Sequence, residues 1–398
     1  MQNLVLAYNR NIDETDCGFV RYLHKSVDWS ERLIGIKGSR GVGKTTMLLQ
    51  HIKTAFHDRT QAFYVSLDNL WFSNHTLSEL TEYLYTHGVT HLFLDEVHRY
   101  AHWVRELKNI YDSYPKLHII FTGSSLLELD NAQADLSRRV RMYHLYGLSF
   151  REYLEMNGVA QLPVLTLDEL LAKHVARAAE LTSKTKVLPH FERYIQCGYY
   201  PFFAETATKE SYAERLQRII VTIIENDIPA VESIEYETLS KTKSLLMMLA
   251  QMVPFTLNIT SMCEKLAITR NQLIRLMTLL ERASLIRQLR SDGKGLKAIG
   301  KPAKLLFDNP NVMHALNNTV DIGTQRETFF AMTLAQAHKL KQPKQGDLLV
   351  DDKYLFEVGG KDKGFGQIRD IDNSYVVADD IEVGFGNKIP LWLFGFLY

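Results

Sequence analysis

The sequence predicts an α/β protein in four parts: a parallel sheet with flanking helices, a helical segment, a winged helix-turn-helix and a second, smaller α/β unit. Three observations carry this. Apolar runs at 33–36, 62–66, 91–95, 117–122 and 142–146 are separated by helix-length segments, the pattern of parallel strands joined by crossovers. A glycine-rich loop stands between the first run and a helix. Beyond residue 240, two apolar segments at helical spacing precede an extended basic stretch.

The loop is Gly38-Ser39-Arg40-Gly41-Val42-Gly43-Lys44-Thr45, a complete G-x-x-x-x-G-K-[ST] motif in the required strand–loop–helix setting. Gly38, Gly41 and Gly43 let the backbone bend tightly and turn its N–H groups toward phosphate oxygens. The helix starting near Lys44 adds the positive end of its dipole. Lys44 is expected to reach the β- and γ-phosphates, Thr45 to offer its hydroxyl to Mg²⁺, and Thr46 to complete the ATP site.

The run 91–94 ends in Asp95-Glu96. A carboxylate at a strand's C-terminal end beside such a loop can hold Mg²⁺, so Asp95 is the expected metal residue. Glu96 is then the expected general base that polarises the attacking water, with Lys44 and Asp95 completing the catalytic set. The next run ends in Thr122-Gly123-Ser124-Ser125. A polar side chain there can hydrogen-bond the γ-phosphate or the water. This end resembles the sensor-1 position of AAA+ ATPases, with Thr122 or Ser124 as the sensor. Arg40, Arg138 and Arg139 are candidates for an arginine finger or a second sensor, although surface arginine is the commoner fate.

With 398 residues, several compact units are expected: 1–155, 156–238, 239–305 and 306–398. No apolar run reaches 18 residues, which excludes a helical membrane span, and the N-terminus has no signal-peptide pattern. Cys17, Cys197 and Cys263 are too scattered for a zinc site or a disulfide framework, which points to reduced thiols and a cytoplasmic setting.

The formal net charge of zero conceals a strong local bias. Residues 241–305 hold 12 Lys and Arg against 3 Asp and Glu, so the rest of the chain is acidic. Helices are expected at 259–266 and 270–283, with Leu273, Leu276, Met277 and Leu280 on one face. The extended stretch 285–290 and a turn at 291–295 then complete the outline of a winged helix. Arg270, Arg275, Arg287, Arg290, Lys294 and Lys297 lie where such a module meets DNA phosphates. Winged helices also pack against proteins, so a protein partner or a homo-oligomer stays open. Ahead of this module, 165–235 reads as helical, with an apolar helix at 215–225, and suits a lid over the nucleotide.

At the C-terminal end, Glu327 falls on an expected helix, Asp347 precedes the strand 348–350, and Glu357 lies in the strand 354–358, before an expected helix bearing Gln367. This order resembles the PD-(D/E)XK restriction-endonuclease-like fold. That likeness implies Mg²⁺ at Asp347 and Glu357, with a lysine two residues beyond the glutamate orienting a water. Gly359 occupies that position here and Lys361 is the nearest lysine, so weak or absent cleavage is expected.

Across nearly its whole length the chain resembles a group of prokaryotic AAA+/STAND-type P-loop ATPases with a C-terminal domain of unknown function. The carrying segments are 38–45, Leu94-Asp95-Glu96-Val97, 122–125, Leu148-Ser149-Phe150-Arg151-Glu152-Tyr153, and Phe356-Glu357-Val358-Gly359-Gly360-Lys361. The resemblance implies ATP and Mg²⁺ and leaves the physiological substrate open. Two roles follow: an ATP-driven enzyme or switch acting on DNA, a nuclease among the possibilities, or an ATP-controlled assembly switch with a protein partner.

Overall fold

The computed structural model of the chain describes residues 1–124, 129, 136, 138–231, 235–251, 258–291, 302–317 and 319–398. Ser125, Lys294, Lys297 and the expected turn beyond Ser291 lie outside the described residues. The chain forms two compact units, Met1–Gly147 and Leu148–Tyr398. The division falls at Gly147 rather than at the boundary expected after residue 155, so the helix Phe150–Met156 belongs to the second unit.

The first unit is built on five parallel strands, β1 (Leu33–Lys37), β2 (Ala62–Ser66), β3 (His91–Asp95), β4 (His118–Gly123) and β5 (Arg141–His144), in the order β2-β3-β4-β1-β5. Helices α1 (Gln2–Glu14), α2 (Lys44–Ala55), α3 (Leu77–Thr86) and α4 (Trp103–Ser113) cover the sheet. The strands read as continuous apolar runs because they are buried on both faces: Ile34, Ile36, Leu92, Phe93, Leu94 and Ile119 are fully enclosed. β4 lies between β3 and β1, so the C-terminal ends of all three open side by side, which is where such sheets hold ligands. β5 stops at His144 rather than the expected 146. Beyond it, the Arg21 guanidinium donates to the carbonyls of Tyr146 and Gly147 at 2.8 and 2.9 Å.

The second unit opens with α5 (Phe150–Met156), α6 (Leu167–Thr182), α7 (Val187–Cys197) and α8 (Lys209–Thr222). The helix expected at 215–225 runs instead from Lys209 to Thr222 and widens into a π-type turn at Ile223–Asp227. Helices α9 (Tyr236–Gln251), α10 (Ile259–Leu266) and α11 (Arg270–Arg282) precede an antiparallel pair, β6 (Ile286–Leu289) and β7 (Lys304–Phe307). The turn between α10 and α11 is dictated locally. Ala267 takes a left-handed conformation (φ 50°) to end α10, and Thr269 and Gln272 form a reciprocal capping box that starts α11.

Helices α12 (Pro310–Leu316) and α13 (Ile322–Leu334) lead into a mixed sheet of β8 (Leu340–Lys341), β9 (Leu348–Val350), β10 (Tyr354–Gly359), β11 (Ser374–Ala378) and β12 (Lys388–Pro390). Strands β8, β9 and β10 are antiparallel, whereas β10, β11 and β12 are parallel. The middle helices are tied into this sheet's surroundings. Arg151 donates to the Tyr398 carbonyl at 3.0 Å, and Tyr354 donates to Asp168 at 2.6 Å. Buried Asn311 on α12 bridges the Tyr194 and Ile195 carbonyls of α7. The expected helix at Gln367 is absent, and turns occupy that stretch. Gly359, Gly360, Gly364 and Gly366 crowd it, and ordering so many glycines into a helix costs about 1 kcal/mol each relative to alanine.

Candidate nucleotide-binding site

The loop 38–45 leaves β1 and enters α2 at Lys44, with Gly43 as the N-cap residue. Gly41 (φ 82°) and Gly43 (φ 94°) adopt left-handed conformations that other residues resist. Gly38 is required for space, since a Cβ there would lie 2.3 Å from the Leu145 carbonyl oxygen. Buried Arg21 donates to the Val42 carbonyl and braces the loop from behind. Sequence reasoning missed this residue, and no motif marks it. The Lys44 ammonium donates to the loop's own carbonyls, Gly38 O at 2.7 Å and Ser39 O at 3.0 Å. It therefore sits inside the concavity formed by the loop, where a phosphate would compete for it.

Asp95 is buried at the end of β3 and gathers hydroxyls. Thr45 Oγ1 donates to Oδ2 at 2.6 Å, Tyr64 Oη donates to the same oxygen at 2.9 Å, and Thr122 Oγ1 donates to Oδ1. The sequence expected Thr45 and Asp95 to share Mg²⁺ and Thr122 to face the γ-phosphate or the water; here both threonine hydroxyls donate to Asp95. Tyr64, on the neighbouring strand β2, went unnoticed because an isolated strand tyrosine reads as core. Burial and the Asp95 charge push its phenol well above the usual range. A threonine hydroxyl beside a carboxylate offers hard oxygen donors, which fits Mg²⁺, a cation that keeps most of its waters and takes few protein ligands.

Glu96 follows with φ 51° and accepts from Ser124 Oγ at 2.7 Å. Burial raises its pKa, opposed by the Lys44 charge and reinforced by Asp95. Of the two sensor candidates, Thr122 meets Asp95 and Ser124 meets Glu96. Arg139 is engaged elsewhere, in a two-pronged pair with Asp112 at 3.0–3.1 Å, so it is not the spare cation expected. Arg138 is exposed.

In the second unit the structure redistributes the basic residues. Arg270, Arg275 and Arg290 are exposed. Arg287 is not available as expected: it pairs at 3.0 Å with Asp308, the residue that follows β7. Burial raises the Asp308 pKa, and the Arg287 charge opposes this.

The three C-terminal carboxylates do not converge as expected. Glu327 meets the Asp347 carboxyl and pairs with Lys304 at 2.5 Å; burial raises its pKa. Asp347 accepts from the Val358 amide at 2.8 Å. Glu357, 1% exposed, pairs instead with Lys363. The Gln367 amide nitrogen, in the orientation that satisfies both groups, donates to Glu357 at 2.9 and 3.3 Å. Among the described residues, no three or more His, Cys, Asp or Glu side chains form a metal-holding group. The cation expected beside Glu357 is nevertheless present. Lys363 lies over Gly359, where a Cβ would fall 2.7–2.8 Å from its side-chain carbons. The missing side chain at 359 makes room for the lysine stem, whereas Lys361 is exposed. Only the neighbouring glycine pair hinted at this in the sequence.

Comparison with known proteins follows this geometry. Residues 30–154 match the family model of the AAA domain. That stretch, which holds the phosphate-binding loop, Asp95 and Glu96, is thus similar to an AAA domain. Beyond it, residues 188–322 match a domain of unknown function, DUF8612. An uncharacterized protein of Methanocaldococcus jannaschii is 30% identical over 289 residues, 70% of this chain. The chain spans 60% of that relative's length. Among solved structures, the Aeropyrum pernix ORC1 protein in complex with DNA aligns over 74% of this chain and 88% of its own, at 12% identity and a TM-score of 0.34. AMPPCP-bound DnaA from Aquifex aeolicus aligns over 71% and 88%, at 16% identity and a TM-score of 0.29. Among the described residues, no helix is long and apolar enough to cross a membrane.

Proposed function

We propose that the AAA domain binds ATP with Mg²⁺ and hydrolyses it, and that its nucleotide state governs DNA binding by a winged helix at 239–305. The observation that carries the first part is Asp95, buried at a strand end and fixed by Thr45, Tyr64 and Thr122 beside the phosphate-binding loop. Backbone N–H groups from Gly38 to Thr46 cradle the phosphates, with Lys44 leaving the loop carbonyls for phosphate oxygens. Bound at Thr45 and Asp95, Mg²⁺ would neutralise phosphate charge. Glu96, whose raised pKa makes it a better proton acceptor than an exposed carboxylate, polarises the water, and Ser124 orients it. The test is ATP turnover by the purified full chain with and without Mg²⁺. Turnover that ignores Lys44→Ala sinks the assignment.

The DNA part is supported by the excess of nine positive charges across 241–305 and by exposed Arg270, Arg275 and Arg290 on α11 and at the end of β6. Neutralising phosphates releases counterions, so binding weakens steeply with salt. Absence of salt-sensitive DNA binding at low ionic strength would leave the competing reading, an assembly switch that acts on a protein partner.

A further inference from the structure

His98 lies in the single 3₁₀ turn Val97–Arg99 that follows Glu96. Glu96 reverses the chain in a left-handed conformation (φ 51°, ψ 41°), and the Arg99 amide closes the turn on the Glu96 carbonyl at 2.9 Å. This folds the imidazole back toward the Glu96 carboxylate, with Nε2 3.3 Å from Oε2 and the side chain 2% exposed. Neither ring nitrogen has a hydrogen-bond partner. A buried polar group left in that state destabilises the fold, and so does a non-glycine residue in the left-handed region. A histidine retained only for packing normally pairs at least one ring nitrogen. Two such costs beside one carboxylate point to use of the imidazole rather than packing.

We propose that His98 is a positioning residue for Glu96, donating from Nε2–H to Oε2 during turnover. The inference rests on the reading of Glu96 as general base. Ser124 already holds Oε2 at 2.7 Å, so a second donor on the same oxygen fixes the carboxylate's rotation and leaves Oε1 to accept from water. The donor must be neutral, since a cation there would weaken the base. Burial, then the charges of Arg40, Arg99 and Lys44, hold the His98 pKa down at about 3. Lys44, Asp95 and Arg40 are the charged groups that act on Glu96.

Three variants of the full chain separate a positioned donor from packing. His98→Gln places an amide nitrogen near Nε2, His98→Asn places one near Nδ1, and His98→Leu supplies none. Leu and Asn should lower kcat by roughly 10- to 100-fold, the scale of losing one aligned catalytic hydrogen bond. Affinity for a non-hydrolysable ATP analogue should stay unchanged, which also shows that the variants are folded. Gln should stay within about threefold of the parent if Nε2 is the donor. In a Glu96→Gln background, adding His98→Leu should cost nothing further, because residues acting through one group are not additive. Equal loss in all three variants, a parallel loss of analogue affinity, or full additivity with Glu96→Gln would overturn the proposal. Undiminished turnover in Glu96→Gln alone would instead remove the general-base reading beneath it.

Discussion

Thr45 Oγ1 donates to Asp95 Oδ2 across 2.6 Å, joining the first turn of α2 to the end of β3. The bond fixes in one place the two oxygens through which the AAA domain is proposed to meet Mg²⁺. It depends on strand order: β4 separates β1 from β3, yet the loop after β1 reaches over it to the carboxylate.

Removal of the Lys44 ammonium should abolish nucleotide binding or turnover. Glu96→Gln should leave ATP binding intact while turnover falls by about two orders of magnitude or more, since only the proton acceptor is lost. Equilibrium binding of a fluorescent ATP analogue and phosphate release measure the two separately. Turnover in Glu96→Gln equal to the parent would show that another group activates the water.

Tyr64→Phe keeps the ring in its buried place and removes only the hydroxyl that donates to Asp95. A hydrogen bond to a charged group contributes about 1.5–3 kcal/mol, and Thr45 and Thr122 still hold the carboxylate. The half-saturating Mg²⁺ concentration should therefore rise roughly three- to tenfold, beside a stability loss of up to about 3 kcal/mol. An unchanged Mg²⁺ titration would mean that the phenol serves packing alone.

The parallel sheet and its ligand end were legible because each strand is a short apolar run and the phosphate loop has a fixed spacing. Thr45, Asp95 and Thr122 could be placed by motif, each at the end of its own run. Arg21, Tyr64 and His98 could not, since their roles depend on which strand ends and turns lie side by side. The C-terminal unit was legible as strands but not as a site. Its pairings, Lys304 with Glu327 and Lys363 with Glu357, join residues whose spacing carries no signal. At Gln367 a helix was expected and turns are found, because four nearby glycines weigh against a helix.

Arg287 and Arg290 should part company on substitution. Arg290→Ala, with Arg270→Ala and Arg275→Ala, should weaken DNA binding similarly for unrelated sequences. The slope of log affinity against log salt should fall by nearly one for each phosphate that is no longer neutralised. Arg287→Ala should instead destabilise the unit, because it leaves largely buried Asp308 without its cation. Anisotropy against salt and urea unfolding separate the outcomes. A flattened salt slope with unchanged stability in Arg287→Ala would return that residue to the DNA face.

Lys363→Met should strand the Glu357 carboxylate, which is 1% exposed. Breaking a fully buried pair costs about 3–5 kcal/mol; Lys363 is 30% exposed, so about 2 kcal/mol is expected. The double change with Glu357→Gln should recover most of the loss by removing the stranded charge. Urea unfolding of the full chain reads both. Equal stability of Lys363→Met and the parent would mean that the pair is not maintained in solution.

His51 on α2 stacks on Trp29 at 3.7 Å between ring centroids, and its Nδ1 lies 3.3 Å from His24 Nε2. Burial first, then the neighbouring charges of His24 and His91, lower its pKa to about 3. Unfolded, the imidazole titrates near the ordinary value of about 6.5. Between these values the unfolded chain binds a proton that the folded chain excludes, so stability is complete above about 6.5 and falls as the pH drops. At pH 5 the loss from His51 is about 2 kcal/mol, from 1.36 kcal/mol per unit over about 1.5 units. His51→Phe keeps the stack and cannot charge. Comparing its unfolding free energy at pH 7.5 and pH 5 cancels any pH-independent cost of the substitution. The drop between the two should shrink by about 2 kcal/mol, with the residual slope coming from other buried imidazoles such as His98 and His91. An undiminished drop would mean that His51 is already charged in the folded protein at pH 5.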